Sequence, residues 1–270
     1  MEHTIRIPSG LATLSVDVAG EGQPVIFLHA NVCDKRMWAA QVSALRGTHM
    51  TVAYDRRGFG KTDFLAEAHS PMSDLFAVMD TVSPDQPAVL VACSGGCKIA
   101  IDAAIEYPSR VKALILISPT VSGSPDPTYT PAVKLLIDAQ ANAAREQDLD
   151  KLNAIKAHLW LDGPLGPVGR VKGNVRDLFL DMNGTALSAP FPGDSTDTTS
   201  MYGRLGEINV PVLLVWGSLD FPHIQSRTND MVGLVKKGVG LRFEGAAHLS
   251  NLEQPMDFNK ALIDFLAEGE

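Results

Sequence analysis

The clearest structural signal in this chain is the sequence PAVLVACSGG at positions 87–96, which lies within the longer stretch 86–119. Its first six residues form an apolar run with β-branched side chains, as is typical of a strand buried on both faces in a parallel sheet. Residues 97–105 then follow as a helix of mostly small, apolar residues. Strand, sharp turn and helix therefore come without a loop between them, and Ser94 lies at the turn.

A turn this tight needs small residues on both sides of Ser94, because the positions two before and two after it crowd together. Those positions hold Ala92 and Gly96. The pattern resembles the nucleophile elbow of the α/β-hydrolases, with Ala92 where the usual form of the motif has glycine. Such an elbow raises the serine hydroxyl above the carboxyl end of the sheet and points the next helix N-terminus at any anion formed there. The alternative, a flexible Ser-Gly-Gly loop, is disfavoured by the strand and helix around it.

Composition narrows the class of protein. The chain has 270 residues, of which 45% are hydrophobic and 20% charged, so a sizeable core is expected and disorder is not. A formal net charge of −8 disfavours nucleic acid and anionic membranes as partners. The first residues lack the pattern of a signal peptide, and no apolar run approaches the ~20 residues that span a bilayer. We therefore expect a cytoplasmic protein with no nucleic-acid or membrane partner.

The three cysteines are too few, and odd in number, for a disulfide framework. Cys93 and Cys97 flank the turn, and no histidine completes a metal-binding set with them. We expect Cys33, Cys93 and Cys97 to be small buried side chains, and we expect no metal site. Cys93 is not the candidate nucleophile, because Ser94 occupies the exposed point of the turn.

Apolar runs alternate with helical patterns along most of the chain, which predicts an α/β fold with a mainly parallel central sheet flanked by helices. The predicted strands are 4–8, 11–18, 24–29, 50–55, 87–92, 111–117, 210–216 and 240–243. The predicted helices outside the middle of the chain are 37–45, 71–80, 97–105 and 255–266.

The pattern changes between residues 122 and 205. This region contains helical stretches at 131–145, 149–161 and 171–182 and no convincing strand. We interpret it as a helical cap, or lid, inserted into the sheet domain. The predicted organisation is a core domain of residues 1–121 and 206–270, with the cap subdomain at 122–205.

Two later segments extend the resemblance to the α/β-hydrolases over nearly the whole chain. Asp220 follows a predicted strand, and His248 lies in a late loop, so the order Ser94, Asp220, His248 is that of the family's catalytic triad. Nucleophilic catalysis by a serine requires these three residue types. His248 removes the proton of the weakly nucleophilic Ser94 hydroxyl, and Asp220 orients the imidazole. The alternatives are a helix-capping role for Asp220 and His223 as the base.

The family resemblance also implies an oxyanion hole made of two backbone N–H groups. Gly95 supplies one, because it follows the serine. Asn31 supplies the other by its position in His29-Ala30-Asn31, where the family usually has His-Gly before the donor. Ala30 is the alternative donor.

The segment from His29 to Trp38 resembles the esterase and 3-oxoadipate enol-lactonase branch of the family. That resemblance implies a serine hydrolase for a small or medium carboxylic ester or lactone, which needs no cofactor. The sequence is compatible with a monomer or a homodimer. The predicted substrate-binding residues, for each of which core packing is the alternative, are Ala30, Trp38, Trp160, Phe179, Met182, Phe221 and Leu249.

Three other functions share this framework. A carbon–carbon bond hydrolase of vinylogous 1,5-diketones requires a basic cap residue that faces Ser94. Arg170 and Arg176 are candidates for binding a substrate carboxylate, with a solvated helix face as the alternative. A cofactor-free perhydrolase or haloperoxidase requires an acyl-enzyme that accepts peroxide. A ligand receptor on a hydrolase scaffold requires only binding, since fold does not determine function.

Overall fold

The structure is a computed structural model that describes residues 3–197 and 199–268. Within these residues, nine strands form a single sheet. The strands are β1 (His3–Ser9), β2 (Ala12–Ala19), β3 (Pro24–Leu28), β4 (Met50–Asp55), β5 (Asp63–Phe64), β6 (Ala88–Cys93), β7 (Val111–Ile117), β8 (Val212–Gly217) and β9 (Gly238–Phe243).

Helices connect most of the strands. The α-helices are α1 (Ala39–Leu45), α2 (Pro71–Val82), α3 (Gly95–Glu106), α4 (Pro131–Arg145), α5 (Leu149–Lys156), α6 (Asn174–Ser188), α7 (Pro222–Leu234), α8 (Ser250–Glu253) and α9 (Pro255–Glu268). A π-helical turn, Ala157–Asp162, directly continues α5. In the part of the chain that the structure describes, no helix is long and apolar enough to cross a membrane.

The strand order in the sheet is β1-β2-β4-β3-β6-β7-β8-β9, and the short β5 pairs with β2. The pairs β1–β2, β2–β4 and β2–β5 are antiparallel, and all pairs from β4 to β9 are parallel. Parallel strands need crossover connections, and the helices that make them cover the sheet on both faces. The prediction of a mainly parallel α/β sheet is therefore confirmed.

Side chains of neighbouring residues on one strand enter opposite apolar cores. Leu90 of β6 belongs to the cluster that includes Leu75 of α2 and Ala100 of α3. Val91, the next residue, belongs to the cluster on the other face, which includes Leu262 of α9. Both faces of the central strands are thus buried, which explains why these strands are continuous apolar runs rather than alternating ones.

Helices replace strands in the segment between β7 and β8. The described residues of 122–205 contain α4, α5 and α6 and no strand, in agreement with the predicted helical stretches. We call this segment the helical insertion. It packs onto the sheet domain through Val133 and Leu159, which contact Phe221 and Ile224 near the start of α7. The interpretation of the insertion as a cap remains a prediction at this point.

The turn between β6 and α3 is closely packed, as the sequence requires. A Cβ atom on Gly96 would lie 2.5 Å from the carbonyl oxygen of Leu28 and 3.0 Å from that of His29. Both contacts are with the backbone of the neighbouring strand end. They leave room only for a hydrogen atom at position 96, so the glycine lets α3 approach β3.

Gly96→Ala is expected to lower the free energy of unfolding by about 1–3 kcal/mol, because overpacking at a backbone contact forces the strand end to move. Urea unfolding followed by circular dichroism measures the change. Gly233→Ala is the matched control, since a Cβ atom there meets nothing within 4 Å. This control is expected to be neutral or stabilising, because alanine favours a helix by up to about 1 kcal/mol. Equal stability of the Gly96 variant and the wild type would contradict the packing argument.

Candidate active site

Ser94 lies at the junction of β6 and α3 with an unusual backbone conformation. Its φ is 52° and its ψ is −115°. Left-handed backbone of this kind costs a non-glycine residue about 1–3 kcal/mol and is common at functional sites. The N–H of Ser94 donates a hydrogen bond of 2.9 Å to the carbonyl oxygen of Ile117 at the end of β7, which holds the turn. The serine thus stands at the carboxyl end of the sheet.

Asp220 follows β8, His248 follows β9, and their side chains meet. The imidazole Nδ1 of His248 lies 2.9 Å from Oδ2 and 3.1 Å from Oδ1 of Asp220. Asp220 is fully buried and His248 is 1% exposed. Because an ionised carboxylate only accepts hydrogen bonds, the proton of a neutral His248 is on Nδ1, which leaves Nε2 as an acceptor. The backbone N–H of Phe221 also donates to Asp220 Oδ1, at 2.7 Å.

The other ring nitrogen of His248 has no such partner. Nε2 is buried, and no described residue makes a hydrogen bond to it. His248 and Ser94 border the same pocket, which has a volume of about 230 Å³. The pocket is lined by Asn31, Val32, Ser94, Thr120, Gln140, Lys156, Trp160 and His248.

The two predicted oxyanion donors are neighbours. Gly95 is the first residue of α3, so its N–H has no acceptor within the helix. A Cβ atom on Gly95 would collide with Oδ1 of Asn31, so the loop after β3 lies directly against the turn. The structure therefore brings Ser94, Gly95, Asn31, Asp220 and His248 together at one edge of the sheet.

Comparison with known proteins identifies the family. A sequence model described as the Alpha/beta hydrolase family matches residues 25–261. The chain belongs to this family. The chain is 28% identical to a putative 2-succinyl-6-hydroxy-2,4-cyclohexadiene-1-carboxylate synthase of Bacillus subtilis, over 92% of this chain and 93% of the relative. It is 26% identical to a 2-hydroxy-6-oxo-6-phenylhexa-2,4-dienoate hydrolase of Burkholderia cepacia, over 93% of this chain and 90% of the relative.

Solved structures share the fold. The crystal structure of the enol-lactonase from Burkholderia xenovorans superposes with a TM-score of 0.77 at 20% identity and covers 97% of this chain and 100% of that one. This similarity extends over both the sheet and the helical insertion. The α/β-hydrolase fold expected from the sequence is therefore confirmed.

A half-buried arginine, Arg56, supports the loop that carries Asn31 in this hydrolase. Nη2 of Arg56 donates to the carbonyl oxygen of His29 and to Oδ1 of Asn31, both at 2.9 Å. The backbone N–H of Arg56 donates to Nε2 of His29 at 3.1 Å. Burial lowers the pKa of Arg56 to about 10 and holds the pKa of His29 well below its usual value. His29 is therefore neutral near pH 7, and it contributes to the structure of this loop.

The alternative base, His223, lies outside the pocket lining. Its ring packs against Tyr129 and Phe221, with centroid distances of 5.5 Å in both cases. Burial lowers the pKa of His223 to about 4. The hydrogen bonds of His248 to Asp220 have no counterpart at His223.

Only one of the seven predicted substrate-binding residues lines the pocket. Trp160 does so, and its ring lies 4.6 Å from that of His248. Phe221 lies behind it, with 4.7 Å between ring centroids, and is 1% exposed. The other five side chains are fully buried in the core on the α9 side of the sheet, which is the core-packing alternative: Ala30, Trp38, Phe179, Met182 and Leu249.

Four pocket residues were missed by the sequence analysis: Val32, Thr120, Gln140 and Lys156. For two of them, the position on a predicted helix indicates a place in the pocket wall. Lys156 lies four residues before Trp160 in a predicted helix, so both belong to one helix face. Gln140 continues the stripe of Val133 and Ile137 on α4, and a polar residue in an apolar stripe is informative.

Arg170 and Arg176, the candidates for a substrate carboxylate, bind protein groups instead. Arg176 pairs with Asp162 at 2.9 Å. Arg170 donates to the carbonyl oxygen of Gly245 at 2.7 Å and forms an ion pair with Glu253. Glu253 in turn accepts from the N–H of Ala247 at 2.9 Å. Arg170 therefore ties the helical insertion to the loop that carries His248.

Arg170→Met is expected to lower kcat about tenfold and the free energy of unfolding by about 1–2 kcal/mol, because buried Glu253 loses its charged partner. Ester hydrolysis and urea unfolding measure the two effects. Arg145→Met is the control, since Arg145 pairs only locally with Asn142 on α4. A variant with unchanged kcat and stability would show that the tie does not support the loop.

Potential metal ligands are dispersed in the part of the chain that the structure describes. Among the residues whose positions are described, no three His, Cys, Asp or Glu side chains are placed to hold a metal ion. Cys33, Cys93 and Cys97 are free and buried. Burial raises the pKa of the Cys93 thiol well above its usual value, so this thiol is protonated and unreactive near pH 7.

Proposed function

We propose that this chain is a serine hydrolase that cleaves a small or medium carboxylic ester or lactone, with Ser94 as nucleophile, His248 as base and Asp220 as the orienting acid. One observation carries the proposal. His248 is held by Asp220 through Nδ1, while its buried Nε2 has no partner and borders the pocket that contains Ser94. This is the arrangement that general-base activation of a serine requires.

The reaction has two stages. Ser94 Oγ attacks the carbonyl carbon while its proton passes to His248 Nε2, and the N–H groups of Gly95 and Asn31 stabilise the oxyanion. The alkoxide leaves with the proton from His248, and an acyl-Ser94 remains. Water then attacks the acyl carbon while His248 Nε2 takes its proton. When the bond from the acyl carbon to Ser94 Oγ breaks, His248 returns this proton to Oγ, and the carboxylic acid is released. Each oxyanion donor is worth about 3–4 kcal/mol in the transition state.

The pocket favours a small acyl group. Its volume of about 230 Å³ lies below the roughly 300–1,000 Å³ that is usual for sites of drug-sized ligands. Gln140, Lys156 and Trp160 of the helical insertion form part of its wall. We therefore propose that residues 122–205 act as a cap over a core of residues 1–121 and 206–270. The enol-lactonase that shares the fold supports an ester or lactone as substrate.

A substrate panel tests the proposal. It contains p-nitrophenyl esters of increasing acyl length and a set of lactones, and a parallel sample is treated with an organophosphate and digested for mass spectrometry. We expect repeated turnover of a short ester or lactone, and a phosphoryl adduct on the peptide that contains Ser94. If the protein turns over no member and Ser94 takes no adduct, the proposal is wrong and a receptor function gains support.

A second candidate is hydrolysis of a carbon–carbon bond in a vinylogous 1,5-diketone. It requires a basic cap residue facing Ser94, and Lys156 borders the same pocket. The relative from Burkholderia cepacia bears the name of a hydrolase for such a compound. Adding one vinylogous 1,5-diketone to the panel separates the two functions, because a carbon–carbon hydrolase will cleave this compound in preference to the esters.

A further inference from the structure

Lys156 is an unpaired cation in the pocket wall. It lies at the end of α5 and borders the same pocket as Ser94 and His248. No described residue makes an ion pair or a hydrogen bond with its ammonium group, and none of the other lining residues is acidic. Burial lowers the pKa of Lys156, which reflects the cost of keeping this charge away from water.

Other buried or half-buried cations among the described residues have hydrogen-bonding or carboxylate partners, as Arg56 has in the carbonyl oxygen of His29. Lys35 contacts Asp17 at 2.9 Å, and Arg176 contacts Asp162 at the same distance. A partly buried charge without a partner is costly, so proteins rarely retain one that does nothing. The counter-charge of Lys156 is therefore expected from a bound ligand.

Gln140 gives an independent indication of a polar ligand. Its Oε1 atom is buried in the pocket wall on α4, and no partner for it exists among the described residues. A buried amide without a hydrogen bond loses free energy on folding. Its –NH₂ end donates and its oxygen accepts, and a rotation of the amide presents either one. With the –NH₂ end turned inward, Gln140 and Lys156 offer hydrogen-bond donors from two helices to one anionic group.

We propose that Lys156 and Gln140 bind a carboxylate of the substrate, so that Ser94 acts on a short ester or lactone that carries a second, ionised carboxyl group. The inference rests on the proposed function and narrows its substrate class. A glutaryl group is a short substrate part of this kind, because only three methylene groups separate its free carboxylate from its ester carbonyl. The carboxylate at one end of such a group reaches the cap wall while the ester carbonyl lies at Ser94.

A pair of esters of equal size tests this directly. Monomethyl glutarate carries the carboxylate, and methyl 5-amino-5-oxopentanoate carries a neutral amide in its place. We expect wild-type kcat/KM to favour the charged ester by about 10- to 100-fold, as charge-assisted hydrogen bonds do. The preference is expected mainly in KM, because the carboxylate lies away from the reacting carbonyl and binds equally in the ground and transition states.

Substitutions in the helical insertion test which side chains cause the preference for the charged ester. Lys156→Met is expected to abolish the preference for the charged ester over the neutral one, whereas Lys156→Arg retains most of the preference. Gln140→Leu is expected to reduce the preference by a smaller factor. Lys151→Met is the matched control: Lys151 is on the same helix, its side chain is 51% exposed, and its substitution should change neither ester.

The outcomes separate this inference from the proposed function. Hydrolysis of the neutral ester without a preference for the charged one overturns the carboxylate site and leaves the serine hydrolase intact. If no ester is turned over, glutarate is titrated into the Ser94→Ala protein by calorimetry. Binding that Lys156→Met removes supports the site, and binding that is absent or unchanged by Lys156→Met overturns it.

Discussion

Replacing Ser94 by alanine is expected to lower kcat for a short ester by about 10⁴-fold or more, the loss that follows removal of a triad nucleophile. The substitution deletes only the hydroxyl that borders the pocket beside His248. Alanine and serine meet the same steric cost at a φ of 52°, so the fold and its stability should be retained. Steady-state rates of ester hydrolysis measure the effect, and circular dichroism checks that the variant is folded.

Ser118→Ala is a closely matched control. Ser118 follows the adjacent strand β7, has a φ of 48°, and is fully buried. Its hydroxyl has no hydrogen-bond partner among the described residues. We expect this variant to keep kcat within about threefold of wild type, since it removes no group from the pocket. An active Ser94→Ala protein, or an equal loss in Ser118→Ala, would refute Ser94 as the nucleophile.

The strands and most helices were predictable because their signals are local. β4 and β7 end where the sequence analysis placed them, since each is an apolar run that stops at a turn. Helix α4 also begins at the predicted residue. Its start is marked by Thr130, whose hydroxyl accepts from the N–H of Val133, and by Pro131 in the first turn. These features act within a few residues, so one sequence suffices to recognise them.

The pocket was much less predictable, because its lining depends on tertiary packing. Trp38 and Trp160 are the same residue type, yet Trp38 packs on Phe27 in the core and Trp160 faces His248. Apolar side chains near an active site and in a core obey the same hydrophobic pattern, so periodicity does not separate them. Polar residues on an otherwise apolar helix face, such as Lys156 and Gln140, are more informative, since burying an unpaired polar group costs free energy.

Long-range contacts also altered one helix. The sequence predicts a single helix over 149–161, whereas the structure has α5 to Lys156 and then a π-helical turn, Ala157–Asp162. Arg170 donates to the carbonyl oxygens of Leu161 and Asp162 at 2.8 Å in both cases. The two carbonyl oxygens lie at the end of the π-helical turn, whereas Arg170 lies in the loop that follows it. Sequence patterns do not predict hydrogen bonds from such a loop, so this turn could not be predicted. Such turns often occur at functional sites, and this one carries Trp160 to the pocket.

Asp220→Asn is expected to reduce kcat by about 10³- to 10⁴-fold, because the substitution changes the tautomer of His248. Oδ1 of Asp220 accepts from the N–H of Phe221, so an asparagine would keep its oxygen at that position and place its –NH₂ group against His248 Nδ1. Nδ1 must then accept a hydrogen bond, and the ring proton moves to Nε2. An Nε2 that carries a proton does not remove the proton of Ser94, so the geometry is intact and the base is lost.

The same variant decides between the two roles considered for Asp220. A helix-capping role predicts almost no change, because asparagine caps a helix about as well as aspartate. Asp102→Asn, at a buried carboxylate on α3 that accepts from Ser122, controls for amide substitution in the core and should stay within about threefold of wild-type kcat. If Asp220→Asn keeps a comparable rate, Asp220 only caps α7 and the orienting acid must lie elsewhere. If the rate falls and the urea unfolding curve does not change, the carboxylate acts on His248 rather than on the fold.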